Sequence, residues 1–152
     1  MPCGHGRGGI HSDKQEGDGR TPIGAYRLLW LYYRPDRCPP PITGLPCLPL
    51  LPRTGWAEDP SDPVYNRPIR HPHDYPTDRM ARGDGLYDIC AVTDQNFDPV
   101  VPGAGSAIFV HLWRKPRHPT AGCISFRARD LCWILRRWTP SSRVVIRAEG
   151  GL

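Results

Sequence analysis

The sequence predicts a mainly β domain with one main helix and a long proline-rich excursion. Three observations predict it. Nineteen prolines and sixteen glycines among 152 residues interrupt the chain too often for long helices. The apolar residues fall in short runs, several of them alternating, which suits strands. One stretch near the C-terminus carries an apolar stripe at helical spacing.

Taken in order, residues 8–11 read as a short strand after a glycine-rich start. That start lacks the Gly-Lys-Ser/Thr ending of a phosphate-cradling loop, so it is read as a turn. Tyr26, Leu28, Trp30 and Tyr32 alternate, and residues 24–33 read as one mostly buried strand. Residues 34–76 hold twelve of the nineteen prolines. Proline removes a backbone donor and blocks a helix, so neither regular strand pairing nor a helix is expected in the first half of this segment. Trp56, Tyr65 and several leucines anchor it, so it reads as a packed excursion against the sheet, walling one side of a cleft and offering Asn66 and Arg67 to a ligand. Thr77 and Asp78, good N-caps, predict a helical turn before Asp84.

Residues 86–93 read as a second core strand, and 94–105 as a loop. Residues 107–110 are an apolar run that reads as a buried strand ending at His111. Ser125 is the candidate cap of a helix over residues 127–138. Leu131, Ile134, Leu135 and Trp138 make its stripe, and Arg136 and Arg137 suit its C-terminal dipole. Residues 143–148 form a last strand. The length suits one domain over residues 1–152.

There are 20 Lys and Arg against 15 Asp and Glu, a formal charge of +5. That excess favours anionic partners, but it is too mild and scattered to select nucleic acid. No apolar run reaches the ~18 residues of a transmembrane helix. The N-terminus lacks the apolar core of a signal peptide. Six cysteines, at positions 3, 38, 47, 90, 123 and 132, permit disulfides in an oxidising compartment. No Cys-x-x-Cys pair occurs, so a structural zinc site of usual spacing is not expected. His71 and His73 flank one proline; a metal would accept that spacing, and a surface loop carries it as readily.

The stretch Ser106 to Phe126 holds the chemistry. An imidazole, His111, closes a strand, and a thiol, Cys123, follows a glycine turn shortly before a helix start. A neighbouring histidine and a helix N-terminus both favour the thiolate, the nucleophilic form. Spacing alone is equally satisfied by a cysteine serving as a small core residue.

Gly105-Ser106-Ala107-Ile108-Phe109-Val110-His111 and Thr120-Ala121-Gly122-Cys123 together resemble the active-site region of the L,D-transpeptidase (YkuD-type) catalytic domain. Residues 13–24, with Lys14, Thr21-Pro22 and Gly24, look like that family's leading loop, and Arg143-Val144-Val145-Ile146 like its closing strand. The resemblance departs at Ala121, where the family usually has His, and at Ser125, where it often has Arg.

The resemblance implies a mixed β-sheet sandwich and an enzyme that cross-links peptidoglycan stem peptides through a thioester on Cys123. It implies His111 as the base, the Leu112 carbonyl as the group fixing its tautomer, and the Gly122 and Cys123 amides as oxyanion donors. Asn96, Asp98, Arg114, Thr120, Tyr87 and His73 are the candidate substrate contacts, with Lys115, Arg117 and His118 beside them. No metal or other cofactor is implied. Stem peptides as donor and acceptor, acylation by carbapenem-type inhibitors, a monomer and a periplasmic location are. Water as acceptor would make the chain an L,D-carboxypeptidase or endopeptidase, and a buried, inert Cys123 would make it a basic module that binds wall polymer.

Overall fold

The computed structural model describes residues 1–150. Its elements run β1 (Ile10–His11), β2 (Thr21–Pro22), β3 (Gly24–Tyr26), β4 (Leu28–Tyr33), β5 (Cys47–Pro49), β6 (Thr54–Ala57), β7 (Pro68–Arg70), β8 (Thr77–Arg79), β9 (Ile89–Thr93), β10 (Phe109–Leu112), β11 (Ile124–Phe126), α1 (Ala128–Arg136) and β12 (Val144–Ile146). The fold is mainly β, with several sheets and one helix, as the sequence predicts.

The main sheet has five strands in the order β11-β10-β9-β4-β5. β9 is its centre and is buried at every residue, which suits the apolar run Ile89-Cys90-Ala91-Val92 with packing on both faces. The sheet separates two cores. One face packs Leu28, Leu31, Ala91 and Val110 against Leu131 and Leu135 of α1. The other packs Tyr32, Val92, Phe109 and Cys123 against Trp56, Met80 and Tyr87. Trp56 and Met80 come from the side of the three-stranded sheet β7-β6-β8. The thiol therefore belongs to the edge of this second core.

Several elements differ from the sequence reading. The single strand expected over 24–33 divides at Arg27. Its N–H and guanidinium both bond Asp94 (2.9 and 3.0 Å), β3 pairs with β12, and β4 joins the main sheet. The first half of the proline-rich excursion does form strands, β5 and the start of β6. They are short, and Pro49 and Pro68 sit at the end of one edge strand and the start of another, where a missing donor matters little. The helical turn expected after Thr77 is instead β8, held by antiparallel pairing with β6. Ser125 caps nothing. It lies in β11, and α1 starts after Arg127 with no side-chain cap, the Arg127–Asp130 ion pair (2.8 Å) bracing its first turn. All six cysteines are free. No helix is long and apolar enough to cross a membrane among the described residues.

Candidate active site

Cys123 is placed by a turn and a strand. Gly122 has φ of +142°, and a Cβ there would stand 2.8 Å from Arg20 O, so the close approach needs glycine. Thr120 Oγ1 accepts the Gly122 N–H (3.1 Å) and donates to Cys123 O (2.6 Å), which closes the turn. Thr21 braces it from the other side. Its buried hydroxyl donates to Gly122 O and accepts the Gly6 N–H, both at 2.8 Å. β11 then runs parallel to β10 with His111 opposite Ser125. Alternation along β10 puts His111 on the same face as Phe109 and hence as Cys123.

The thiol donates to Ala107 O (3.1 Å), and the Phe109 N–H points at Sγ (3.4 Å). Among the described residues no hydrogen bond joins Sγ to the imidazole. Ala107 is itself held, its N–H donating to Asn66 Oδ1 (3.0 Å), an oxygen that also accepts Trp56 Nε1–H (2.9 Å). His111 is 3% exposed. Its Nδ1 lies 2.7 Å from Leu112 O. A carbonyl only accepts, so Nδ1 carries the proton and Nε2 is left as the acceptor. Tyr87 meets the ring edge-on, centroids 5.3 Å apart, and its hydroxyl donates to Asp78 (2.9 Å).

Both groups are uncharged at rest. Burial pushes the Cys123 thiol up to about 12, the Phe109 amide acting in the other direction. Burial likewise lowers His111 to about 4, the Leu112 carbonyl acting in the other direction. The thiolate-favouring setting expected from sequence is absent because β11 intervenes between Cys123 and the helix start.

Two cavities meet at Cys123. One, of about 300 Å³, is lined by Arg7, Arg82, Arg114, His111 and His118. The other, of about 220 Å³, is lined by Glu16, Glu58 and Asp78, with Lys14 and again Arg7. Lys14 is held by Asp18 (2.5 Å), so the carboxylates dominate this lobe. Burial, then the neighbouring Asp78 and Glu16, raises the Glu58 carboxyl above its ordinary value. A third cavity of similar size, lined by Leu28, Leu45 and Trp138, shares no residue with either.

A family model, the L,D-transpeptidase catalytic domain (YkuD), matches residues 1–146. The chain belongs to this family. No curated protein and no solved structure matches it. The L,D-transpeptidase catalytic domain family acts on peptidoglycan peptides.

Among the residues singled out from sequence, Cys123, His111, Tyr87, Thr120, Arg114 and His118 line the first cavity. Gly122 borders it, but its amide is committed to Thr120. Leu112 contributes its carbonyl. Asn96 and His73 are not brought to it. Asn96 bonds its own loop at Val101 and Gly105, and His73 pairs with Asp62 (2.6 Å). Lys115, Arg117 and Asp98 are exposed and line neither lobe. Asn66 supports Ala107 rather than facing the cleft, and Trp56, expected as a wall, is wholly buried; Trp113 does line the basic lobe. Sequence reasoning missed Arg7, Glu16, Glu58, Asp78 and Thr21. Of these Glu16 and Thr21 had a cue, their place in the leading-loop segment 13–24.

Proposed function

We propose that this domain is a peptidoglycan L,D-transpeptidase that joins stem peptides, in 3-3 or 1-3 cross-links, through a thioester on Cys123, working in the periplasm where its substrate lies. The observation that carries this is the pair of oppositely charged lobes meeting at one thiol. A transferase must hold an acyl donor and an amine acceptor on either side of its nucleophile, whereas a hydrolase needs room for water alone. The basic lobe suits the carboxylate-rich donor, and the acidic lobe suits an acceptor that arrives as an ammonium ion.

The donor carbonyl enters beside Cys123, and the thiol turns from Ala107 O towards Nε2 of His111. The uncharged imidazole takes the thiol proton as sulfur bonds to the carbonyl carbon. The Cys123 amide steadies the oxyanion, since that of Gly122 is occupied. The tetrahedral adduct collapses, His111 protonates the departing amine, and D-alanine leaves. The acceptor ammonium gives its extra proton to solvent; the neutral amine then attacks the thioester carbonyl, and His111 takes the second proton from its nitrogen and returns it to the departing Cys123 sulfur, restoring the thiol.

The test is a product ratio. The protein is incubated with a tetrapeptide-bearing muropeptide, and cross-linked dimer is counted against free tripeptide by mass spectrometry. Dimer should dominate at high acceptor concentration. Tripeptide dominating there would make the enzyme an L,D-carboxypeptidase.

A further inference from the structure

Arg7 lies outside every motif that marks the family, and it is a charged side chain that borders both lobes. The sequence around it explains how it arrives there. Gly4, Gly6 and Gly8 alternate with Cys3, His5 and Arg7. A Cβ on Gly4 would stand 2.5 Å from Ser125 Oγ, and one on Gly6 would stand 2.2 Å from Gly19 O. The glycine edge of this strap therefore lies against the Ser125 side chain and the Gly19 backbone, where no side chain would fit.

Four backbone bonds fix the strap: Gly4 N–H to Ser125 O (2.8 Å), Ser125 N–H to Gly4 O (3.0 Å), Thr120 N–H to His5 O (2.9 Å) and Arg7 N–H to Thr120 O (2.9 Å). Arg7 follows Gly6 in the turn that the Gly9 N–H closes on Gly6 O (3.0 Å), and its side chain passes over Gly19 to line both lobes.

The other guanidiniums of the basic lobe are already engaged. Arg82 makes two bonds to Asp84 (both 2.8 Å), and Arg114 approaches the same carboxylate at 3.5 Å. The Arg7 guanidinium has no carboxylate partner and no hydrogen bond among the described residues. An unpaired planar fork at the rim of a nucleophile's cleft matches a carboxylate that the ligand brings.

We propose that Arg7 binds the terminal carboxylate of the donor peptide, the one on the residue that leaves. This rests on the transpeptidase reading. Both lobes meet at Cys123, so the attacked carbonyl and the leaving nitrogen lie at their junction, and Arg7 borders that junction. The terminal carboxylate sits on the α-carbon bearing the leaving nitrogen. The other carboxylates of a stem peptide lie further along the chain or at the far end of the diamino acid. Arg7 thereby restricts donors to those that end one residue beyond the attacked carbonyl.

The experiment compares the full chain with its Arg7→Ala and Arg7→Lys variants. Each is given a tetrapeptide donor as the free acid, as the C-terminal amide, and extended by one residue. The wild type should favour the acid by roughly 10- to 100-fold in kcat/KM, the range of a charge-assisted pair. Arg7→Ala should turn over acid and amide alike, with the loss mostly in KM, and Arg7→Lys should restore part of the preference. Thermal unfolding checks that the strap stays folded. A wild type that acts on peptides without preferring the acid, or an Arg7→Ala variant that keeps the preference, overturns the inference alone. A wild type inert towards all three donors overturns the transpeptidase reading beneath it.

Discussion

Burying a thiol beside an imidazole protects the nucleophile at rest and ties its activation to the substrate. With Cys123 held up near 12 and His111 down near 4, the ion pair is the disfavoured form of the empty site. Proton transfer then belongs to the attack itself, and each residue is useless without the other. His111→Ala should lower turnover by roughly 10²- to 10⁴-fold, the usual share of a positioned base. Cys123→Ala should leave only background. Steady-state kinetics on a tetrapeptide donor should show the double variant no worse than Cys123→Ala. Losses that multiply would mean that the two do not share one step.

At the scale of elements, the leading loop and the nucleophile's turn form one unit through Thr21. Replacing it with valine keeps the volume but strands the Gly6 N–H and the Gly122 carbonyl in a buried place. Thr21→Val should destabilise the fold by about 1–3 kcal/mol, measured by urea unfolding, and should slow acylation as well because the turn loosens. A variant with unchanged stability and rate would remove Thr21 from the site. The same scale explains what was legible in the sequence. The helix was, because Leu131, Ile134 and Leu135 repeat at 3.6 and nothing competes; β9 and β10 were, because an apolar run marks each, Ile89 to Val92 and Ala107 to Val110, that a central strand buries. β8 was not. Thr77 and Asp78 favour a helix start locally, and pairing with β6 overrides them. The strap was not, since alternating glycines look like a turn until the backbone they touch is known. The nucleophile and base lie close in the chain, whereas Glu16, Glu58, Asp78 and Arg7 come from distant segments that only the fold gathers.

For the whole molecule, the buried pair sets a stability window in pH. His111 falls from an ordinary 6.5 to about 4, so the unfolded chain binds the extra proton first as pH drops. Its contribution is fully present above 6.5 and is lost as pH falls towards 4. Cys123 rises from 9.0 to about 12, so the unfolded chain loses the proton first as pH climbs. That contribution is present below 9 and is lost on the way to 12. Each amounts to a few kcal/mol, from about 1.4 kcal/mol per pH unit. Other groups share both limbs. Asp78 and Glu58 are raised, chiefly by burial, and work against His111 in the acid range, while Cys90 is raised by burial and adds to the alkaline loss. Asp18 and Asp84, both lowered to about 2, act only below their ordinary 3.8. The test is therefore a difference rather than a slope. Urea unfolding free energies are measured from pH 4 to 10 for the wild type, His111→Asn and Cys123→Ala. The wild type should be most stable between about 6.5 and 9. His111→Asn should shrink the acid limb, which the lowered His71 shares, and leave the alkaline one; Cys123→Ala should shrink the alkaline limb, which Cys90 shares, and leave the acid one. An acid limb that survives His111→Asn unchanged would mean that the imidazole is charged in the folded protein, and a charged imidazole could not accept the thiol's proton.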